Sequence, residues 1–217
     1  MGAMKRSLLP ELMDAPDFPA SKLSEVHRDL ARIHRMLGSF PTIERFLRKD
    51  DRPVRRVLDI GCGDGALLRY LRARMAVEVI GVEPMPGPIS DIPIVSADAT
   101  SDRLPEADVA VSMLVSHHLT PEQNVSMIRN VGQCCRRLII LDLIRHPLPF
   151  CLFTLFVCPL IGPVSAQDGR QSIRRSFTPD EFTRLAEEAL AGTEGNLAVD
   201  VSPWLSRQVI DIKFRSA

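Results

Sequence analysis

Three glycines at alternate positions, Gly61, Gly63 and Gly65, follow directly on the apolar run Val57-Leu58-Asp59-Ile60 and lead into Ala66-Leu67-Leu68. Glycine carries no Cβ, so such a loop turns tightly and lets backbone N–H groups come close to a ligand. A strand passing through it into a helix is the layout of a nucleotide-type binding loop. Two ligand types compete for it. Gly61-x-Gly63-x-x-Ala66 also satisfies the dinucleotide fingerprint, in which a pyrophosphate rests on the helix N-terminus. Asp59 shifts the balance, because a carboxylate two residues before the first glycine repels a pyrophosphate and suits a cationic ligand. Glu83, at the end of the next apolar run, has the spacing from Gly61 of a carboxylate that takes both ribose hydroxyls.

The elements that must position these residues can be read from periodicity. Val57–Ile60, Val77–Val82, Pro93–Ser96, Asp108–Ser112 and Leu138–Leu141 read as strands. Helical patterns separate several of them, Ala66–Arg74 with Leu67, Leu68 and Leu71 inward being the first. That alternation implies crossover connections and a mainly parallel sheet. Thr120-Pro121-Glu122-Gln123 and Thr178-Pro179-Asp180-Glu181 each offer a threonine cap, a proline at the first helical position and a third residue reaching back, two helix starts of structural meaning. Leu197–Val201 and Gln208–Phe214 suit a closing antiparallel hairpin. Ahead of the sheet, Leu23, Val26, Leu30, Ile33 and Leu37 mark one helical stripe, closed by Gly38, and Pro41 opens a shorter helix through Leu47. Residues 1–20 read as a cloning remnant, Met1 to Met4, and an extended or partly mobile arm punctuated by Pro10, Pro16 and Pro19. Residues 21–217 read as one domain, with helices over 21–50 and an insertion over 146–177.

Asp59-x-Gly61-x-Gly63-x-Gly65 resembles motif I of class I S-adenosylmethionine-dependent methyltransferases. Gly81-Val82-Glu83-Pro84, Ser96-Ala97-Asp98-Ala99, Asp108–Ser112 and Leu138–Asp142 match the family's later motifs in order, so the resemblance covers about residues 54–145. It implies a Rossmann-like, doubly wound α/β fold: a mainly parallel seven-stranded sheet with an antiparallel C-terminal hairpin, here under an N-terminal helical cover. It implies S-adenosylmethionine as cofactor, held by Asp59, Gly61, Cys62, Gly63, Gly65, Glu83, Pro84, Asp98, Ala99 and Ser112. In the family Glu83 takes the ribose hydroxyls and Asp98 lies near the adenine.

Methyl transfer is largely a matter of positioning. A phenolic acceptor also needs a base, since its pKa of ~10 leaves little phenolate near neutrality, whereas imidazole at ~6.5 is placed to accept the proton. His117 and His118 lie beyond the fourth strand's carboxyl end, where ligands of open α/β sheets gather, and are the catalytic candidates. No third residue has helpful spacing, so no metal site is expected there. The window His146–Gln167 contains no Lys, Arg, Asp or Glu, and Phe150, Phe153 and Phe156 recur in it. Pro147, Pro149, Pro159 and Pro163 leave too short an unbroken run to span a bilayer, which needs ~20 apolar residues. A cap lining an acceptor pocket is favoured over a buried helix or a membrane-touching surface. His146, Phe150, Phe153, Arg174 and Arg175 are the acceptor-side candidates, the arginines being suited to an acidic or phenolate group.

The whole composition agrees with this. With 27 Lys+Arg against 27 Asp+Glu the net charge is zero, which argues against a nucleic-acid partner. Ser112-Met113-Leu114-Val115 also lacks the Pro-Pro-aromatic step typical of base methylation in the family. The cancellation hides an order: residues 81–110 carry six acids against the single base Arg103, then come the uncharged window and Arg170, Arg174 and Arg175. Five cysteines without paired spacing argue for a reducing cytoplasm, and Lys5-Arg6 leads into no apolar signal core. The expected reaction is methylation of a small, largely apolar acceptor, at an oxygen of a phenolic or polyketide-like metabolite. C-methylation of a quinone or lipid-like acceptor, with peripheral membrane contact, and a non-catalytic cofactor-binding protein are the alternatives.

Overall fold

The apolar runs become a seven-stranded sheet in a computed structural model, which describes residues 4–15, 18–85 and 91–214 and omits the side chains of Ala20, Ser21, Leu23, Ser24, His27, Ala31 and Arg35. Met1–Ala3, Pro16 and the Leu23 side chain therefore lie outside the described residues. The strands are β1 (Arg56–Ile60), β2 (Glu78–Glu83), β3 (Ile94–Ser96), β4 (Ala107–Met113), β5 (Cys135–Leu143), β6 (Gly195–Val201) and β7 (Arg207–Phe214). Their order is β3-β2-β1-β4-β5-β7-β6. The first five pair in parallel, while β7 runs antiparallel to both β5 and β6. The order reverses between β1 and β4, and ligands of open sheets bind at such a switch point, outside the strands' carboxyl ends.

Central strands are buried on both faces, as parallel strands covered by helices must be. Leu58, Ile60, Ala110, Leu138 and Ile140 join one apolar cluster with α4 (Pro121–Gly132) and α7 (Pro179–Leu190). Val57, Val109, Val111, Ile139 and Leu141 join the other, with α2 (Ser39–Arg48) and α3 (Ala66–Arg74). Both threonine caps form complete boxes, Thr120 with Gln123 and Thr178 with Glu181. Across the sheet's lower end, buried Arg137 binds Asp50 at 2.8 Å and Asp211 at 2.7 Å.

The helical cover is α1 (Ala20–Leu37) and α2, with Gly38 in the left-handed region between them. The arm ahead of it is pinned rather than loose. Arg6 donates to the carbonyls of Arg175 and Leu119 at 2.6 and 2.9 Å, Arg145 donates to the Met4 carbonyl at 2.7 Å, and Glu11 is buried. The Asp168 carboxylate accepts from the Leu12 and Met13 amides, fixing the 3-10 turn Leu12–Asp14. The insertion folds as α5 (Pro147–Leu152), a π-helical turn Phe153–Val157, a 3-10 turn Cys158–Leu160 and α6 (Pro163–Arg175). None of the described helices is long and apolar enough to cross a membrane.

Candidate active site

The glycine loop leaves β1 at the switch point. The amides of Gly61 and Cys62 both donate to the Val82 carbonyl, at 2.8 and 3.2 Å, which ties the loop to β2. Gly61 has φ +67°, and a Cβ there would lie 2.5 Å from a Val115 methyl carbon, so this glycine is demanded by both conformation and space. Gly63 has φ +54° with nothing within 4 Å of the missing Cβ. Its exposed backbone faces open space instead, as a loop meant for a ligand would.

Glu83, at the end of β2, accepts a hydrogen bond from the Gly63 amide at 3.0 Å, so its carboxylate stands at the lip of the loop. Asp59 is 2% exposed, and its carboxyl has Glu83 as its charged neighbour. Burial first, and then the neighbouring Glu83, push its pKa well above the ordinary carboxylate value. A buried carboxylate held in this state is a site waiting for positive charge. The Ser112 hydroxyl, fully buried at the end of β4, has no hydrogen-bond partner among the described residues. Burial with Asp59 and Glu83 pushes the Cys62 thiol up to about 12, so Cys62 contributes packing and no nucleophile.

Asp98 and Ala99 lie two and three residues past β3. The Asp98 carboxylate accepts from the Thr100 amide and hydroxyl at 2.8 and 2.7 Å, which locks the turn after β3. Pro84 is exposed, and its carbonyl accepts from the Ser96 hydroxyl. Thus Asp59, Gly61, Cys62, Gly63, Glu83 and Ser112 converge at the switch point, with Gly65 starting α3 behind them.

Beyond β4 the backbone is strained. Leu114, directly after β4, is a non-glycine residue at φ 60°, a conformation that accumulates at functional sites. His117 follows in a 3-10 turn, buried, with Nδ1 2.7 Å from Asp142 Oδ1 and Nε2 3.5 Å from Glu11 Oε1. Burial alone would lower its pKa, but Asp142 and Glu11 outweigh burial and hold it up to about 9. His118 keeps 32% of its side chain exposed, with Nδ1 3.2 Å from Asp14. Burial would raise Glu11, yet His117 and Ser172 bring it below the usual carboxylate range. The hydrogen bond to His118 likewise lowers Asp14. Glu11, Asp14 and Ser172 had no signal in the sequence, and Asp142 read only as the end of a strand.

The acceptor-side candidates do not converge on one point. His146 caps α5, its Nδ1 accepting from the Leu148 amide at 3.1 Å. The Phe153 ring lies against Gly169, and the Arg174 guanidinium stacks 4.7 Å over Phe150. Arg175 spends its donors on the carbonyls of His117, His118 and Leu9, so it positions the histidine turn and the arm rather than standing free for an acceptor. Leu155, Phe156, Leu160 and, across from α5, Trp204 are exposed apolar groups. Open hollows lined by Asp50, Arg136 and Lys213 and by Glu78, Asp108 and Cys134 lie at the strands' amino ends, opposite the glycine loop.

Residues 28–141 match the family model described as a methyltransferase domain, more than half of the chain, and the chain belongs to that family. With the sheet order above it is a class I methyltransferase. Among solved structures, the plantazolicin methyltransferase BamL in complex with a triazolic desmethylPZN analog and SAH is similar at TM-score 0.74 and 17% identity, covering 94% of this chain and 93% of that one. BpumL, a plantazolicin methyltransferase with the same kind of analog and SAH, is similar at TM-score 0.70 and 15% identity, with 94% and 93% covered. The S-adenosylmethionine-dependent methyltransferase SibL in its apo form follows at TM-score 0.62 and 18% identity, covering 94% of this chain and 61% of that one. No curated protein sequence matches the chain.

Proposed function

We propose that the chain transfers a methyl group from S-adenosylmethionine to a small, largely apolar acceptor, at an oxygen of a phenolic or polyketide-like compound. The observation that carries this reading is the buried Asp59 beside Glu83, together with the open face of Gly63. These residues fit the cofactor, whose sulfonium supplies the electrophilic methyl when bound. Asp59 offers a carboxylate whose ionised form a cationic ligand favours. Glu83 offers oxygens for ribose hydroxyls, and the exposed Gly63 backbone allows close approach. The presence of SAH in the BamL and BpumL structures supports the same choice.

On the acceptor side, His117 holds its proton near neutrality between two carboxylates, which leaves it unsuited to act as base. His118, oriented by Asp14 and partly exposed, is the histidine able to receive an acceptor's proton. The apolar insertion with Phe150 and Phe153 lies on the strands' carboxyl side and supplies the cover. Labelled-methyl assays on phenolic, quinone and RNA panels test the reading. Label on a phenolic oxygen supports it. Label on quinone carbon or on RNA replaces the acceptor class, and cofactor binding without turnover on any panel points to a non-catalytic role.

A further inference from the structure

Three metal-ligating groups meet where the N-terminal arm crosses the turn after β4. Glu11 Oε1 lies 3.5 Å from His117 Nε2 and 3.9 Å from His118 Nε2, and the three ligand atoms all fall within 4.8 Å of one another. Each group is oriented from behind. Asp142 sits on His117 Nδ1 at 2.7 Å, Asp14 on His118 Nδ1 at 3.2 Å, and the Ser172 hydroxyl donates to Glu11 at 2.7 Å. Carboxylates at both Nδ1 atoms place an N–H there and turn both Nε2 atoms toward the Glu11 carboxylate. The place between them suits a cation, either the second proton that His117 holds in the free protein or a metal ion that displaces it.

The separations indicate which cation. A proton shared between imidazole and carboxylate draws N and O to ~2.7–2.9 Å. A tetrahedral ion with bonds of ~2.1 Å holds its ligand atoms about 3.4 Å apart, which the 3.5 Å from Glu11 to His117 meets and the 3.9 Å from Glu11 to His118 reaches with a small closure. The histidine whose far nitrogen is held by a carboxylate is also the usual outer shell of a bound metal. We infer that Glu11, His117 and His118 bind one divalent transition-metal ion, with an open coordination position on the exposed side of His118. Two imidazoles and one carboxylate suit Zn2+ or Co2+ better than Mg2+ or Ca2+, which prefer oxygen ligands.

The ion would fasten the arm to the catalytic turn from about a hundred residues away in sequence, which is why spacing gave no hint of it. With the ion bound, His118 would be a ligand and an acceptor oxygen at the open position would lose its proton to solvent more readily, so the proton-accepting role of His118 belongs to the metal-free chain. This inference goes beyond the methyl-transfer reading and does not need it, since metal uptake and cofactor binding are measured separately.

The test is titration of the chelator-stripped full chain with Zn2+ by calorimetry and with Co2+ by visible absorption. One equivalent should bind, with the ligand-field bands of a low-coordinate Co2+ site and no thiolate charge transfer. Glu11→Gln and His118→Ala should each weaken binding at least tenfold, and Asp142→Asn by about 10–100-fold through the outer shell. Circular dichroism identifies any variant that fails to fold, and the other two then carry the comparison. No stoichiometric uptake, uptake undiminished in Glu11→Gln and His118→Ala, or a thiolate band placing the ion on the adjacent Cys134 and Cys135 would overturn it.

Discussion

Replacing Gly61 and Gly63 separately with alanine separates folding strain from ligand contact. Both have positive φ, +67° and +54°, and a non-glycine residue in that region costs about 1–2 kcal/mol. At Gly61 the new methyl would also sit 2.5 Å from Val115 Cγ2 and 3.2 Å from Cγ1. Overpacking of this kind adds about 1–3 kcal/mol. Gly61→Ala should therefore lose about 2–5 kcal/mol, and Gly63→Ala only the strain. At about 2–4 °C per kcal/mol for a domain of this size, thermal unfolding separates the two. Val115→Ala in the Gly61→Ala background should return the overpacking part as a coupling of about 1–3 kcal/mol. Gly63→Ala should instead weaken SAH binding at least tenfold, about 1.4 kcal/mol, because its methyl enters the open face of the loop. Equal destabilisation by both substitutions, additivity of Gly61→Ala with Val115→Ala, or unchanged SAH affinity in Gly63→Ala would refute this account.

Asp59→Asn should stabilise the free protein at neutral pH while weakening cofactor binding. The folded pKa of Asp59 is raised, so the folded state holds the proton more tightly than the unfolded one. Its contribution is full below the unfolded value of about 4 and fades as pH rises toward the folded value. Urea midpoints measured across that range should show the wild type losing ground to the variant. Arg137→Ala, which strands Asp211 and leaves Asp50 only its Arg136 and Arg52 partners, should cost about 3 kcal/mol by denaturant unfolding. Thr178→Ala removes the cap of α7 and should cost about 1 kcal/mol in the same assay.

What was legible in the sequence was local. Asp59, the three glycines and Glu83 are held by two adjacent parallel strands and the single loop-and-helix crossover between them, so their spacing along the chain reports their arrangement in space. The threonine caps, the sheet and its closing hairpin were readable for the same reason. The histidine turn was not. Glu11 reaches His117 only because Arg6, Arg145 and Asp168 pin the arm across α6, and those contacts join residues at opposite ends of the chain. Arg175 read as an acceptor ligand because the sequence shows its charge, while the carbonyls that occupy it belong to a turn folded against it. The π-helical turn at Phe153–Val157 had no periodicity to announce it.

The central claim is that the loop after β1, with Asp59 and Glu83, binds the methyl donor, and calorimetric titration with S-adenosylhomocysteine tests it most directly. One site per chain should bind, with affinity falling at least tenfold, about 1.4 kcal/mol, in Glu83→Ala and in Asp59→Ala. Absence of binding, NAD binding in its place, or full affinity in both variants would contradict it.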